Sequence, residues 1–188
     1  MRLDPDGKVP KTQVKLLAEV QSDLAKEDIL LVKLLVTNKS VLEVQYGEAL
    51  VLQAIQELEA SLSNLNSVAK LERVSPVLIA MQAKDPSNSL GFMQGVRSAL
   101  RGINTSGSYR FLINASIGAV VTDHTSSLDA EAWFGRLNLA LMKSTRTGRP
   151  ELADEKLALS ERARQELSRL GPGSAPPEGM YWVFQPIN

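Results

Sequence analysis

The stretch Phe111-Leu112-Ile113-Asn114-Ala115-Ser116-Ile117-Gly118-Ala119-Val120-Val121 decides the fold, together with Asp129-Ala130-Glu131, Arg136-Leu137-Asn138-Leu139-Ala140-Leu141-Met142 and Gly148-Arg149-Pro150 behind it. The first part is short, apolar and rich in branched side chains. It predicts a strand over Tyr109 to Val121, kinked near Asn114. Ser127 or Asp129 then offers a side-chain oxygen to open a helix. Trp133, Leu137, Ala140 and Leu141 recur at helical spacing and form one apolar face. Gly148 suits the left-handed residue that ends a helix. Trp133 and Phe134 are neighbours, about 100° apart around a helix, so one is expected in the core and the other partly exposed.

Upstream, helices and strands alternate. Asp4 to Pro10 is punctuated by Pro and Gly and reads as a loop. Val14, Leu17, Val20 and Leu24 mark a helix, and Ile29 to Val36, broken only by Lys33, marks a buried strand. Thr37-Asn38-Lys39-Ser40 reads as a polar turn. A second helix carries Val51, Ile55, Leu58, Leu62 and Leu65, with Gly47 marking a break near its start. Val68 to Leu71 and Val77 to Met81 read as strands joined by Glu72-Arg73-Val74-Ser75-Pro76, with Pro76 at the start of the second strand. Lys84 to Ser89 is a loop ending in a helix cap, and Met93, Val96, Leu100 and Ile103 mark a third helix. Met81, Met93 and Met142 fit apolar faces. Leu157 to Leu170 reads as a charged helix, Gly171 to Gly179 as a linker, and Met180 to Ile187 as a short apolar strand. The fold class is α+β: a central, mostly antiparallel sheet flanked by helices.

Composition narrows the function. The chain has 188 residues, 44% of them hydrophobic, and equal numbers of Lys plus Arg and Asp plus Glu. A neutral balance argues against a nucleic-acid partner. No cysteine is present, which removes disulfides, thiolate chemistry and cysteine zinc sites. No apolar run nears the ~20 residues that span a bilayer, so no membrane contact by this segment is expected. A cytoplasmic setting follows, including the cytoplasmic part of a membrane-anchored receptor. His124, the single histidine, sits in the polar loop Thr122-Asp123-His124-Thr125 and reads as an exposed residue. No metal site and no cofactor are expected.

The segment Phe111 to Glu151 resembles the C-terminal third of GGDEF domains, the diguanylate cyclase fold. There a strand ending in S-I-G precedes a helix of the form D-A-E…R-A-D-x-A-L-Y-x-A-K, closed by G-R-N. Upstream, Asp4-Pro5…Val9-Pro10, Tyr46-Gly47-Glu48 and Ala69-Lys70-Leu71 stand where that family has D-P-L-T-G-L-P-N-R, Y-G-H and A-R-L. The resemblance covers roughly residues 4 to 151. It implies the class III nucleotidyl cyclase-like architecture with a ferredoxin-like core.

It also implies a site, and the site's chemistry is missing. In the family two GTP-bound domains face one another and build cyclic di-GMP, each holding divalent metal through carboxylates, because hard cations want oxygen ligands. The first metal-binding Asp falls on Leu35. The guanine-reading Asn and Asp fall on Glu43 and Val44. The signature falls on Glu72, Arg73, Val74, Ser75 and Pro76. The inhibitory R-x-x-D falls on Ser63-Asn64-Leu65-Asn66. The resemblance therefore implies a degenerate, non-enzymatic domain.

Tyr181-Trp182-Val183-Phe184-Gln185-Pro186-Ile187 is similar to the opening strand of EAL domains, with Gln185 as a candidate ligand contact. This gives a degenerate GGDEF domain at 1–151, a connecting helix and linker at 152–179, and a first EAL strand at 180–188, as in tandem GGDEF–EAL proteins of the FimX and LapD kind. The expected partner is an EAL domain in the same chain or in another protein, with a homodimer as a further option. Two other readings stay open: a non-catalytic sensor of GTP or cyclic di-GMP, and a ferredoxin-like structural module outside this pathway.

Overall fold

A computed structural model describes residues 11–101 and 112–154, with side chains from residue 18 onward. The elements in chain order are α1 (Lys11–Leu24), β1 (Leu30–Val36), α2 (Lys39–Tyr46), α3 (Glu48–Ser63), β2 (Val68–Ser75) and β3 (Leu78–Ala83). A 3-10 turn at Pro86–Asn88 leads to α4 (Ser89–Arg101), β4 (Ala115–Val121), α5 (Ala130–Thr147) and β5 (Glu151–Ala153). The five strands form one sheet in the order β2-β3-β1-β4-β5. All pairings are antiparallel except β4 with β5. The α+β class with a mostly antiparallel sheet is thus the observed one. No helix of the described residues is long and apolar enough to cross a membrane.

The central strand explains why both faces are covered. Side chains alternate across a sheet. Leu30, Val32, Leu34 and Val36 of β1 enter one core with Val51, Ile55, Leu58 and Leu62 of α3 and Phe92, Met93 and Val96 of α4. Ile29 and Leu31 enter a second core with Val20 and Leu24 of α1 and Trp133, Phe134 and Leu137 of α5. Both faces of β1 are buried, which is why its sequence is continuously apolar rather than alternating.

The S-I-G glycine has a packing reason. A Cβ on Gly118 would lie 2.4 Å from the backbone nitrogen of Leu141, so only glycine lets α5 settle onto β4. Asp129 caps α5 by accepting from the Ala132 N–H, and Gly148, at φ +67, ends it.

Several expectations need correction. Lys39 and Ser40 are not turn; they open α2, a helix the sequence reading lacks, while Gly47, at φ +87, marks the break before α3 as expected. Leu65 lies past the end of α3 yet still packs on the core. Glu72 to Ser75 are not a connection: β2 continues through them, and Pro76-Val77 is the turn. An edge strand tolerates charged residues because one margin faces water. Pro76 therefore precedes β3 rather than opening it. The loop before α4 contains the 3-10 turn, capped by Asp85. Within the described residues, β4 begins at Ala115, and the Thr37 N–H bond to Asn114 carbonyl oxygen carries its pairing with the β1 segment one step further. Trp133 and Phe134 are both buried, since α5 is packed by α1 as well as by the sheet and buries a wider arc than one face. Met142 is 54% exposed on the outer side of α5. The strand β5 has no counterpart in the sequence reading. Asp4 to Pro10, Ile103, Tyr109 to Phe111, the 157–170 helix, the 171–179 linker and the 180–188 strand with Gln185 lie outside the described residues.

Candidate functional site

The residues that the resemblance singles out gather partly at one end of the sheet. Ser75 of β2 and Leu35 of β1 both pair with Leu78 of β3, and Leu35 pairs on its other side with Ser116 of β4. This row ends β1. Beyond it, Val36 N–H donates to Val77 carbonyl oxygen and Thr37 N–H to Asn114 carbonyl oxygen, both at 2.8 Å. Asn38 ties the same corner down: its Oδ1 accepts from Asn114 N–H and its Nδ2 donates to Leu112 carbonyl oxygen.

The chemistry available there is sparse. Leu35 is half-buried between its two partners and offers no ligand atom. Glu43, on α2, is held by Lys39 in an i,i+4 ion pair. Val44, also on α2, is 92% exposed. Arg73 sends two guanidinium nitrogens to the two carboxylate oxygens of Glu59 on α3, so its fork is already used. The β2–β3 register shifts between Arg73 and Ser75, which places Val74 at a bulge. Ser75 Oγ accepts from Val77 N–H inside the turn, and Pro76 is exposed. Glu72 is half-buried and faces Ala80 of β3 rather than the turn. Of the stretch Ser63-Asn64-Leu65-Asn66, Asn64 is the C-cap of α3 and Leu65 packs on the core.

His124 is exposed, as read, and the structure adds partners that its sequence neighbourhood does not show. Asp28 Oδ1 accepts from His124 N–H and lies 2.7 Å from its Nδ1. With Asp123, the three offer ligand atoms within 4.8 Å of one another. Each carboxylate is engaged, however. Asp123 accepts from the N–H and hydroxyl of Thr125, and Asp28 from His124; those hydrogen bonds hold both acids below the usual carboxylate range. The cluster clasps the loop after β4 to the start of β1.

One functional-looking residue escaped the sequence reading. Lys33 interrupts the apolar run of β1 and is only 6% exposed. Its Nζ donates to Asn138 Oδ1 at 2.7 Å and lies 4.9 Å from the centre of the Phe134 ring. Burial pulls its pKa down to about 8. The signal was the lone charge in an otherwise apolar strand.

Two clefts border the sheet. One, of about 340 Å³, lies between α1, α5 and strands β1 to β3 and includes Lys70, Glu72 and Gln82. The other, of about 460 Å³, lies between Arg97 and Arg101 of α4, Asn114 and Pro150. Neither is lined by Leu35, Glu43, Val44 or Ser75.

No protein-family model matches the chain, and no curated protein matches it. Solved structures do. The GGDEF domain of YfiN (also TpbB) from Pseudomonas aeruginosa is similar at 11% identity with a TM-score of 0.69, over 86% of this chain and 99% of that one. A diguanylate cyclase/phosphodiesterase from Caldicellulosiruptor saccharolyticus is similar at 22% identity and a TM-score of 0.62, over 79% and 90%. The GGDEF domain of FimX from Pseudomonas aeruginosa is similar at 14% identity and a TM-score of 0.55, over 81% and 98%. At these identities the likeness is one of fold: the chain has the fold of GGDEF domains.

Proposed function

We propose that this chain is a catalytically inactive GGDEF-like domain that serves cyclic di-GMP signalling on the cytoplasmic side as a regulatory or interaction module, coupled to an EAL domain in the same chain or in a partner. The observation that carries the reading is the row Ser75–Leu78–Leu35–Ser116 at the end of the sheet. A cyclase of this fold needs carboxylates there to hold magnesium against triphosphate. This row supplies two half-buried leucines and two hydroxyls, which neither hold Mg²⁺ nor balance phosphate charge.

The surrounding charges support the same reading. Glu43 is neutralised by Lys39 and Arg73 by Glu59, so neither is free to read guanine or grip phosphate. The scaffold features are kept at the same time: the glycine under α5, the Asp129 cap and the Gly148 stop. A fold retained without its reactive groups fits a domain used for its surface. The named activity of the Caldicellulosiruptor saccharolyticus neighbour, a diguanylate cyclase/phosphodiesterase, supports a place in that pathway.

The test is incubation of the purified chain with GTP and Mg²⁺, followed by chromatography for cyclic di-GMP. No product above a mock preparation is expected. Steady accumulation that disappears when Leu35→Lys is introduced at this row would overturn the proposal.

A further inference from the structure

The outer edge of β4 is covered along only part of its length. The strand β5 pairs with Gly118 to Val120 and with no residue before them. Ahead of that stretch a cleft of about 460 Å³ opens between α4 and the end of α5, within the size range of small-molecule sites. Its lining includes Arg97 and Arg101 of α4, Ser116 of β4 and Thr145 of α5, and among the described residues that line it there is no Asp or Glu.

The donors of this cleft are unspent. Arg97 and Arg101 are exposed and stand one helical turn apart, so both guanidinium groups rise from the same face of α4. Neither makes an ion pair among the described residues. Glu151, next to Pro150 of the lining, is already paired with Lys143 at 3.0 Å. Ser116 is only 6% exposed and makes no side-chain hydrogen bond among the described residues. Its oxygen is not sealed in, since Trp133 Nε1 is the one fully enclosed side-chain polar atom without a partner among them; the opening that Ser116 meets is the cleft it lines. Ile117 N–H turns away from β1 to reach Ser144, so Ala115 N–H, two residues back along the strand, turns outward as well. Two guanidinium groups, a buried hydroxyl and a backbone N–H thus present donors and positive charge to one space.

We propose that this cleft binds a small aliphatic dicarboxylate. Each carboxylate pairs with one guanidinium fork, whose geometry matches a carboxylate's two oxygens. Four positions on a helix separate the two arginines by roughly 6 Å at Cβ, so carboxylates at the two ends of a short chain suit them better than the single centre of an inorganic phosphate. Ser116 Oγ and Ala115 N–H donate to the carboxylate oxygens that the arginines leave. The cleft is not lined by Leu35 or Ser75 and the binding needs no metal, so the site stands whether or not the signalling proposal does. A ligand there ties α4 to the end of α5.

Glutarate is the probe, in low salt and without Mg²⁺ or nucleotide, which keeps the result independent of the cyclase test. Titrated into the full chain and followed by calorimetry and amide NMR, it should saturate with a dissociation constant on the order of 1 mM, in keeping with its size. Arg97→Gln and Arg101→Gln should each weaken it about tenfold, since a charge-assisted pair is lost, and Ser116→Ala should weaken it by a smaller, measurable factor. Lys84→Gln removes the same charge at the opposite end of the sheet, beyond the Leu30–Ala83 pair, and should leave the affinity unchanged. Melting curves show that the variants stay folded. Glutaramate, of the same length with one carboxylate made an amide, and inorganic phosphate should both bind more weakly than glutarate. No saturation of the wild-type chain, unchanged affinity in either arginine variant or in Ser116→Ala, an equal loss in Lys84→Gln, or glutaramate or phosphate binding as tightly as glutarate would each overturn the proposal.

Discussion

Lys33 is the residue whose burial works against stability. Its partners are a ring and an amide, which offset the cost of burying its charge only in part, since neither carries a counter-charge. Burial lowers its pKa from 10.5 to about 8, so between those values the unfolded chain binds more protons than the folded one. Stability therefore rises with pH across that window, and below it the full cost is present, roughly 3 kcal/mol at one pKa unit per 1.36 kcal/mol. Lys33→Met should raise stability at pH 7, and its advantage over wild type should shrink as the pH climbs from about 8 towards 10.5. Urea titrations of both proteins across that range are the measurement; an advantage that stays constant would show that the charge is not what costs. The sequence alone gave its apolar neighbourhood but not its partner, because Asn138 lies more than a hundred positions away on another element.

At the scale of elements, the legible parts were those with long, one-sided patterns. The helix α5 was readable from cap to stop because Asp129, the apolar face and Gly148 each leave a local mark. The hairpin was misjudged because Glu72 and Arg73 look like turn residues, while the ladder with β3, Glu72 opposite Ala80 and Arg73 opposite Ile79, makes them strand. The strand β5 was invisible because three residues hold no periodicity, and its existence depends on a parallel partner. Where β5 stops short, Ser144 takes over: Ile117 N–H, without a partner strand on the β5 side, donates to Ser144 Oγ at 2.9 Å in a buried position. Ser144→Ala would strand that N–H away from water, at about 1–3 kcal/mol. Thr147→Ala, which removes an exposed hydroxyl bonded to Glu151, should stay within about 0.5 kcal/mol. Denaturant midpoints and the exchange rate of the Ile117 amide separate the two; equal small effects would mean the edge finds another partner. For the candidate site, the sequence gave no hint that Ser75 and Leu35 share a row through Leu78, nor that Glu43 and Arg73 are already paired.

The described residues form two cores with one sheet between them, and β1 belongs to both. Leu58 is fully buried on the α3 side and Leu137 nearly so on the α5 side, yet Leu30 and Leu31, adjacent in the chain, each serve one of them. Neither layer can leave without exposing the reverse of a strand the other needs, and α5 cannot lift without opening the close approach at Gly118. The layers should therefore unfold together. Leu58→Ala and Leu137→Ala, cut from opposite faces, should each cost about 2–5 kcal/mol and shift one common transition without changing its slope. Circular dichroism follows all the helices, and fluorescence in a Trp182→Phe background follows Trp133 in the α1–α5 core. The two probes should give coincident curves for both variants. A fluorescence transition that precedes the dichroism in Leu137→Ala alone would mean that α1 and α5 form a separable layer. The cleft of about 340 Å³ beneath them would then be a place that opens rather than a fixed cavity.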